Sequence, residues 1–357
     1  MERRELLRLL ASGLGGGLLA PGLVRRLGAS QPLPLKDEAL PLEAAMSITD
    51  HYRHVIDSQP AQELVGPLVG HIHFVSQLLE SSRSLATQTS LATAVSEACG
   101  FVSRLAFDLN DPAAGWNYHR SALAYVERAE SSVLQAYHLA DMSLWAGILG
   151  DGDRAVQLTL QANSLVPRDA SLALQAWFAA REASAYSRAG NRSAALHALD
   201  RAEALAGQAD AGDSVWPWTQ PFGRGGLAGY RGAIGARLKL PDMAVPALQE
   251  AFSGPLRPVS KYHALVLGDL AASYLPAGEV EESARLTAEA FDIGAQLGSY
   301  RVLQRVREVR SALNPYRYTS AVRDLDERMA GVRSEDFTNI IALSEWPAKD
   351  KSSWRRD

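Results

Sequence analysis

Histidines, one cysteine and a glycine-rich stretch are the residues of this chain whose types and spacing could support chemistry. His51 and His54 stand three apart, so on a helix they share a face. Two imidazoles are only part of a zinc site, and no Asp or Glu partner is evident beside them in the sequence. His71 and His73 stand two apart and point to different helix faces. Gly223-x-Gly225-x-x-Ala228 has the outline of a dinucleotide-binding turn, but the apolar strand that must precede such a turn is missing. Cys99 is the only cysteine, which excludes an intrachain disulfide and a cysteine-based metal site. Its apolar helical setting predicts a buried, inert thiol. No Walker loop, HExxH or GxSxG segment occurs, and Ser, His and Asp occur without a local motif. No catalytic residue, metal ligand or cofactor is assigned, and the chain is expected not to be an enzyme.

The elements that would carry these residues are helices with a repeat. A small residue, six intervening positions and a second small residue recur about every 40 residues, a solenoid period. The pairs are Gly115/Ala122, Ala155/Ala162, Ala195/Ala202, Ala244/Ala251 and Ser283/Ala290, with one wider step before Ala244. The unit from Val133 to Pro167 shows the grammar most clearly. Gly150 stops a first helix, Asp151 and Asp153 flank the start of a second, and Ala155, Leu158, Ala162 and Leu165 form one apolar stripe. Leu172, Ala176, Ala179, Ala183 and Tyr186 line the next first helix, Gly190-Asn191 turns the chain, and Leu196, Leu199 and Ala202 line its partner. Gly150, Gly190 and Gly278 each precede their small residue by five positions. Small side chains let antiparallel helices approach closely at their crossing. The fold class expected is all-α, a solenoid of helical hairpins, which offers a surface for binding rather than a cavity for chemistry.

Composition agrees with a folded, non-basic protein. Hydrophobic residues make up 47% and charged residues 21%, with a net charge of −4 and a pI near 6.1. A free-standing nucleic-acid binder would usually carry a basic face and a higher pI. Arginine far outnumbers lysine, the coding bias of a GC-rich bacterial genome. No run of about 18 apolar residues occurs, so no integral membrane segment is expected. Leu9 to Val24 is apolar and Gly-rich, follows Arg3-Arg4 and is closed by Arg25-Arg26. With small residues near Ala29, it is similar to a twin-arginine export signal; a linker helix is the alternative.

Residues 1–45 are expected to be a leader or linker, 46–345 a helical repeat domain and 346–357 a polar tail. Residues 30–41 read as a proline-rich linker, with helical periodicity from Ile48 to Ser58. A second helix is expected to run to about Leu79, with Gly66-Pro67 bending it or delaying its start. Val215 to Gly226 is expected to be an irregular loop and Glu345 to Asp357 a frayed tail.

Ala155, Ala162 and Pro167 match the small–small–Pro signature of a tetratricopeptide second helix, and Tyr186 and Tyr274 match its first-helix aromatic. More narrowly, LAGYRG (227–232), AGEVEESARLTAEAFDIGAQLGS (277–299) and LNPYRYTSAVRDLDERM (313–329) resemble the repeat region of XRE-type helix-turn-helix regulators common in actinobacteria. The resemblance implies a tetratricopeptide-like solenoid over roughly residues 40–340. The chain departs from it at Lys239, where a turn glycine is usual, and at Gly115, where Ala is usual. No DNA-reading domain fits the first 45 residues, so direct nucleic-acid binding is not expected of the chain as written.

In tetratricopeptide proteins the first helices line a concave groove. Carried onto this chain, the resemblance gives Glu97, Arg104, Asp108, Tyr137, Trp177, Ser184, Arg188 and Arg237 as groove residues. Ala140, Gly147, Ala180, Gly229 and Ala236 are small groove positions that would leave room for a ligand backbone. Arginine can grip a carboxylate bidentately, and Trp177 or Tyr137 can anchor an apolar side chain. The expected function is a cytoplasmic regulatory module that binds a protein, peptide or small signal and reports to a transcription regulator. The alternatives are an exported binding protein and a regulator whose DNA-binding domain is missing from the gene model.

Overall fold

The computed structural model of this chain describes residues 39–209, 224–252 and 258–330. The leader at 1–29, most of the loop at 215–226 and the tail at 345–357 lie outside the described residues. Among those described, 14 α-helices and no strand occur. Helices α1 (Ala39–Val55) and α2 (Ala61–Ser81) precede the array. Five antiparallel hairpins follow: α3 (Leu85–Asp108) with α4 (Pro112–Ala129), α5 (Ser132–Ile148) with α6 (Gly152–Leu165), α7 (Leu172–Arg188) with α8 (Arg192–Gln208), α9 (Arg224–Arg237) with α10 (Pro241–Phe252), and α11 (Lys261–Tyr274) with α12 (Val280–Gln296). Helices α13 (Tyr300–Ala312) and α14 (Ser320–Ala330) complete the described chain. Among the described residues this is an all-α solenoid of helical hairpins.

Local sequence sets the hairpins. Side chains of Ser84, Asp111, Ser131, Asp151, Ser171, Asn191 and Ser260 each accept the N–H three residues on, capping helix N-termini. At each hairpin turn one residue takes left-handed backbone: Asn110, Gly150, Gly190, Lys239 and Gly278, with φ of 59°, 90°, 75°, 57° and 80°. Each stands five positions before its small residue, so Asn110 and Lys239 fill the place that glycine fills elsewhere. All ten small residues of the repeat are buried. Ala155 packs with Ala146 of α5 and Ala185 of α7, and its carbonyl accepts from Ser143 Oγ at 2.7 Å.

Two local expectations are corrected. The first helix begins at Ala39, inside the supposed linker, and α2 runs unbroken through Gly66-Pro67. Pro67 is the seventh residue of α2, so its missing N–H removes one helical bond, which the packing of the helix tolerates. The loop expected to end at Gly226 gives way to α9 at Arg224. Glycine is a poor helix former, but tertiary packing selects it here: a Cβ at Gly232 or Gly235 would strike Leu248 or Ala244 of α10. Gly225 and Ala228 therefore lie on a helix, and no strand-to-helix turn surrounds them.

The first helices form an inner row. α3, α5 and α7 are buried on nearly all faces, whereas α4, α6 and α8 bury single stripes. The row turns far enough to meet itself, for α13 packs on α3. The α1–α2 turn joins this closure. Lys261 N donates to the Asp57 carbonyl at 2.8 Å, Tyr262 N donates to Asp57 Oδ2 at 3.3 Å, and Ala61 N donates to the Leu297 carbonyl at 3.3 Å.

Candidate functional site

The inner row carries polar side chains on helices otherwise packed with alanine and leucine, and these gather into separate groups. The first group closes the ring. Asp108 ends α3 and is 1% exposed. Lys261 Nζ lies 3.1 Å from its Oδ2, Arg301 Nε 3.7 Å from its Oδ1, and Ser299 Oγ donates to Oδ1 at 2.8 Å. Lys261 Nζ also donates to the Ile56 carbonyl at 3.0 Å. Burial opposes ionisation of Asp108, but Lys261 and Arg301 outweigh it and hold the carboxyl below its usual range. The guanidinium of Arg301 lies over Trp145, which stacks on Phe107 at 4.1 Å.

The second group surrounds Asp141 of α5. Arg104 and Arg181 each approach its Oδ1 at 3.5 Å, and Arg104 donates to Tyr137 Oη at 3.2 Å. Arg181 also donates to the Ala140 carbonyl and lies over Trp177, which stacks on Tyr137 at 5.8 Å. Burial would raise the pKa of Asp141; Arg104, His119 and Arg181 bring it to about 2. Glu97 stands apart, paired with Arg53 at 2.7 Å. Burial pushes its carboxyl up to about 7 against that pairing.

The third group is formed by Arg188 at the end of α7 and Arg237 at the end of α9. Both are half-buried. Among the described residues Arg188 has no hydrogen bond and no carboxylate partner, and its Nε is sealed from solvent. Arg237 donates from Nη1 to Ser187 Oγ at 2.9 Å and likewise lacks a carboxylate. The carboxylates nearby are engaged: Asp269 and Glu308 hold Arg305 at 2.7 and 3.0 Å. Burial, then the neighbouring Arg237, push the Arg188 pKa well below its ordinary value, against the attraction of Asp269.

Of the residues singled out in the sequence, the structure brings Arg104, Tyr137 and Trp177 together and Arg188 with Arg237. It places Glu97 and Asp108 in buried ion pairs of their own. Ser184 is half-buried one turn before Arg188, on the same face. The room left by small groove residues is taken by the chain itself. The Arg188 stem crosses Gly147, and the Tyr262 hydroxyl lies where a Gly229 side chain would be. Sequence reasoning missed Asp141, Arg181, Lys261, Asp269, Arg301 and Arg305. Asp141 and Arg181 stand one turn from Tyr137 and Trp177, so extending each inner face by four residues would have found them.

The histidines do not assemble into a reactive site. His54 Nδ1 lies 3.7 Å from Asp50, the acidic neighbour overlooked in the sequence. Among the described residues no three His, Cys, Asp or Glu side chains are placed to hold a metal ion. Ser96 Oγ and His138 Nε2 are 2.8 Å apart, a nucleophile–base distance, but both are fully buried. Ser96 donates to the Ala122 carbonyl at 2.9 Å, so it accepts from Nε2–H and the pair acts as a packed polar bridge. Cys99 is buried, and burial pushes its thiol up to about 12. No described helix is long and apolar enough to cross a membrane.

No family model matches the chain, and no curated protein sequence matches it. Among solved structures, the crystal structure of the P58(IPK) TPR domain is similar, with a TM-score of 0.23 and 13% sequence identity over 79% of this chain and 80% of that chain. A likeness at that level says nothing about ligand or partner.

Proposed function

We propose that this chain is a non-catalytic interaction module that binds an acidic-ended protein segment, peptide or small signal on its inner face. Arg188 and Arg237 are the groups that meet the acid. One observation carries the reading: Arg188 is a half-buried cation with no partner among the described residues, beside Arg237, which has no carboxylate either. Asp269 attracts this half-buried guanidinium only from beyond ion-pair distance, and such incomplete compensation supports an anion that arrives from outside. Asp108 and Glu97 serve the scaffold. Tyr137 and Trp177 are buried beside Arg181 and also serve the scaffold. The resemblance of 227–232, 277–299 and 313–329 to regulator repeats supports the finer reading, a cytoplasmic module that passes occupancy to a transcription regulator.

The test uses acidic-ended peptides selected by display on the full chain. Replacing Arg188 and Arg237 by Ala is expected to weaken the selected peptides by about 1–3 kcal/mol. Capping the peptide acid as an amide should weaken it similarly. Unchanged dissociation constants in both experiments would remove this assignment.

A further inference from the structure

A groove of about 390 Å³ lies between α12 and α14 and shares no residue with the groups of the inner face. We infer that this groove binds a basic peptide segment of a partner protein, one that carries two Lys or Arg side chains beside small apolar residues. The inference is independent of the reading of Arg188 and Arg237.

The lining has two parts. Ala284 and Ala288 of α12 and Ala321 and Leu325 of α14 form an apolar floor, each pair one helical turn apart. Three of these four are alanines, so the backbone of a ligand can approach closely. Glu281, Arg285, Glu289 and Asp292 of α12 and Asp324 and Arg328 of α14 form the polar lining. From Glu281 to Asp292 the groove extends about 16 Å along the helix.

Charge selects the ligand class. Four carboxylates against two guanidiniums give the lining a net charge of −2. Both guanidiniums are already bound: Arg285 by Glu282 and Glu289 at 2.7 and 3.2 Å, and Arg328 by Asp292 at 3.0 Å. Glu281 and Asp324 pair with no cation among the described residues. The surroundings do not cancel this excess. Arg310 matches Asp326, and Arg323 turns back to the Thr319 carbonyl at 3.5 Å with Glu327 to offset it. His263 of α11, on which Glu289 acts, is pushed towards its neutral form by burial. The two helices hold seven carboxylates against Arg285, Arg323, Arg328 and the neighbouring Arg310, a net charge of −3. The whole chain of 357 residues carries only −4, so the excess is concentrated here. Two cations on the ligand balance the lining. A metal ion fits less well, since no three His, Cys, Asp or Glu side chains among the described residues are placed to hold one. A polyamine would match the charge but leave the alanine floor uncovered. A basic peptide supplies both parts.

The experiment measures fluorescence anisotropy of a labelled peptide of Lys, Ala and Leu, about 14 residues long, on the full chain. Versions with Gln or Glu in place of Lys, and competition by spermidine, are the controls. The Lys peptide is expected to bind and to weaken as salt rises, and the Gln and Glu versions to bind far more weakly. Glu281→Gln with Asp324→Asn should weaken the Lys peptide about tenfold. Both side chains are exposed, so the urea midpoint should stay with the parent. Glu127→Gln with Glu130→Gln removes the same charge from the exposed face of α4 and should leave binding unchanged. Equal weakening by the two pairs would reduce the attraction to net charge and overturn the inference. Absence of Lys-peptide binding, or a Gln peptide or spermidine as tight as the Lys peptide, also overturns it. A chain with Lys349, Lys351, Arg355 and Arg356 all replaced by Ser is expected to bind the peptide as the parent does. A gain of about tenfold or more in that variant would assign the groove to the chain's own cations and overturn the partner. Each of these results leaves the acidic-ligand reading of the inner face to its own test.

Discussion

Asp108 and Arg188 occupy the same place in different repeats, two residues before the left-handed turn residue and at the last position of an inner helix. Arg237 shares that place. Their surroundings differ in kind. Asp108 is sealed and held by Lys261, Ser299 and Arg301, whereas Arg188 is half-open and holds nothing. The helix dipole sharpens the contrast. A carboxylate at a helix C-terminus is disfavoured and needs compensation from elsewhere, whereas a guanidinium there gains about 0.3–1 kcal/mol. The array therefore contains one completed ionic site that closes the ring, and we propose Arg188 and Arg237 as an incomplete one.

The largest effect is expected at the completed site. Asp108→Ala leaves Lys261 and Arg301 without their shared carboxylate, and Lys261 is 1% exposed. The loss should be about 3–5 kcal/mol in urea unfolding. A loss under about 1 kcal/mol would mean that the ring does not depend on this closure.

Titration tests the sealed interior without mutation. Burial lowers His71 and His119 to about 4 and His138 to about 3, from an ordinary value of 6.5. The folded chain thus binds fewer protons than the unfolded chain below pH 6.5. Stability from these imidazoles is full above 6.5 and is lost as pH falls towards 4 and 3. Glu97 acts in the opposite sense: its carboxyl, raised to about 7, costs stability as pH rises from 4.5 to 7. Three imidazoles outweigh one carboxyl, so urea midpoints should climb from pH 4 to 6.5. A flat profile would contradict the neutral, buried histidines.

A smaller effect is expected at a dry crossing. Ala155→Leu overpacks the α5–α6–α7 contact and should cost about 1–3 kcal/mol. A neutral result would show the crossing to be looser than its full burial implies.

The hairpins were legible because their determinants are local. A turn residue with positive φ, a capping Asp, Ser or Asn, and a small residue five positions after the turn all lie within one stretch of sequence. Lys239 in the left-handed position shows the limit of a glycine rule, since the register was kept without the residue. The inner face was legible residue by residue but not pair by pair. Glu97, Asp108, Arg188 and Arg237 were found as one class, yet two are sealed by partners and two are open. For Asp108 that division depends on ring closure, which joins residues about 200 apart through Lys261 and the α1–α2 turn, and for Glu97 on Arg53 of α1. No periodicity encodes such a contact. Lys261 left only a faint trace, as one of few lysines in an arginine-rich chain.

The most direct test of the central claim is the stability of Arg188→Met in the absence of any ligand, measured by urea unfolding beside the parent. If Arg188 awaits an anion, removing its charge relieves a repulsion, and the variant should be as stable as the parent or up to about 1 kcal/mol more stable. A loss of more than about 1 kcal/mol would show that Arg188 already has a stabilising partner within the chain, and the incomplete site would not exist.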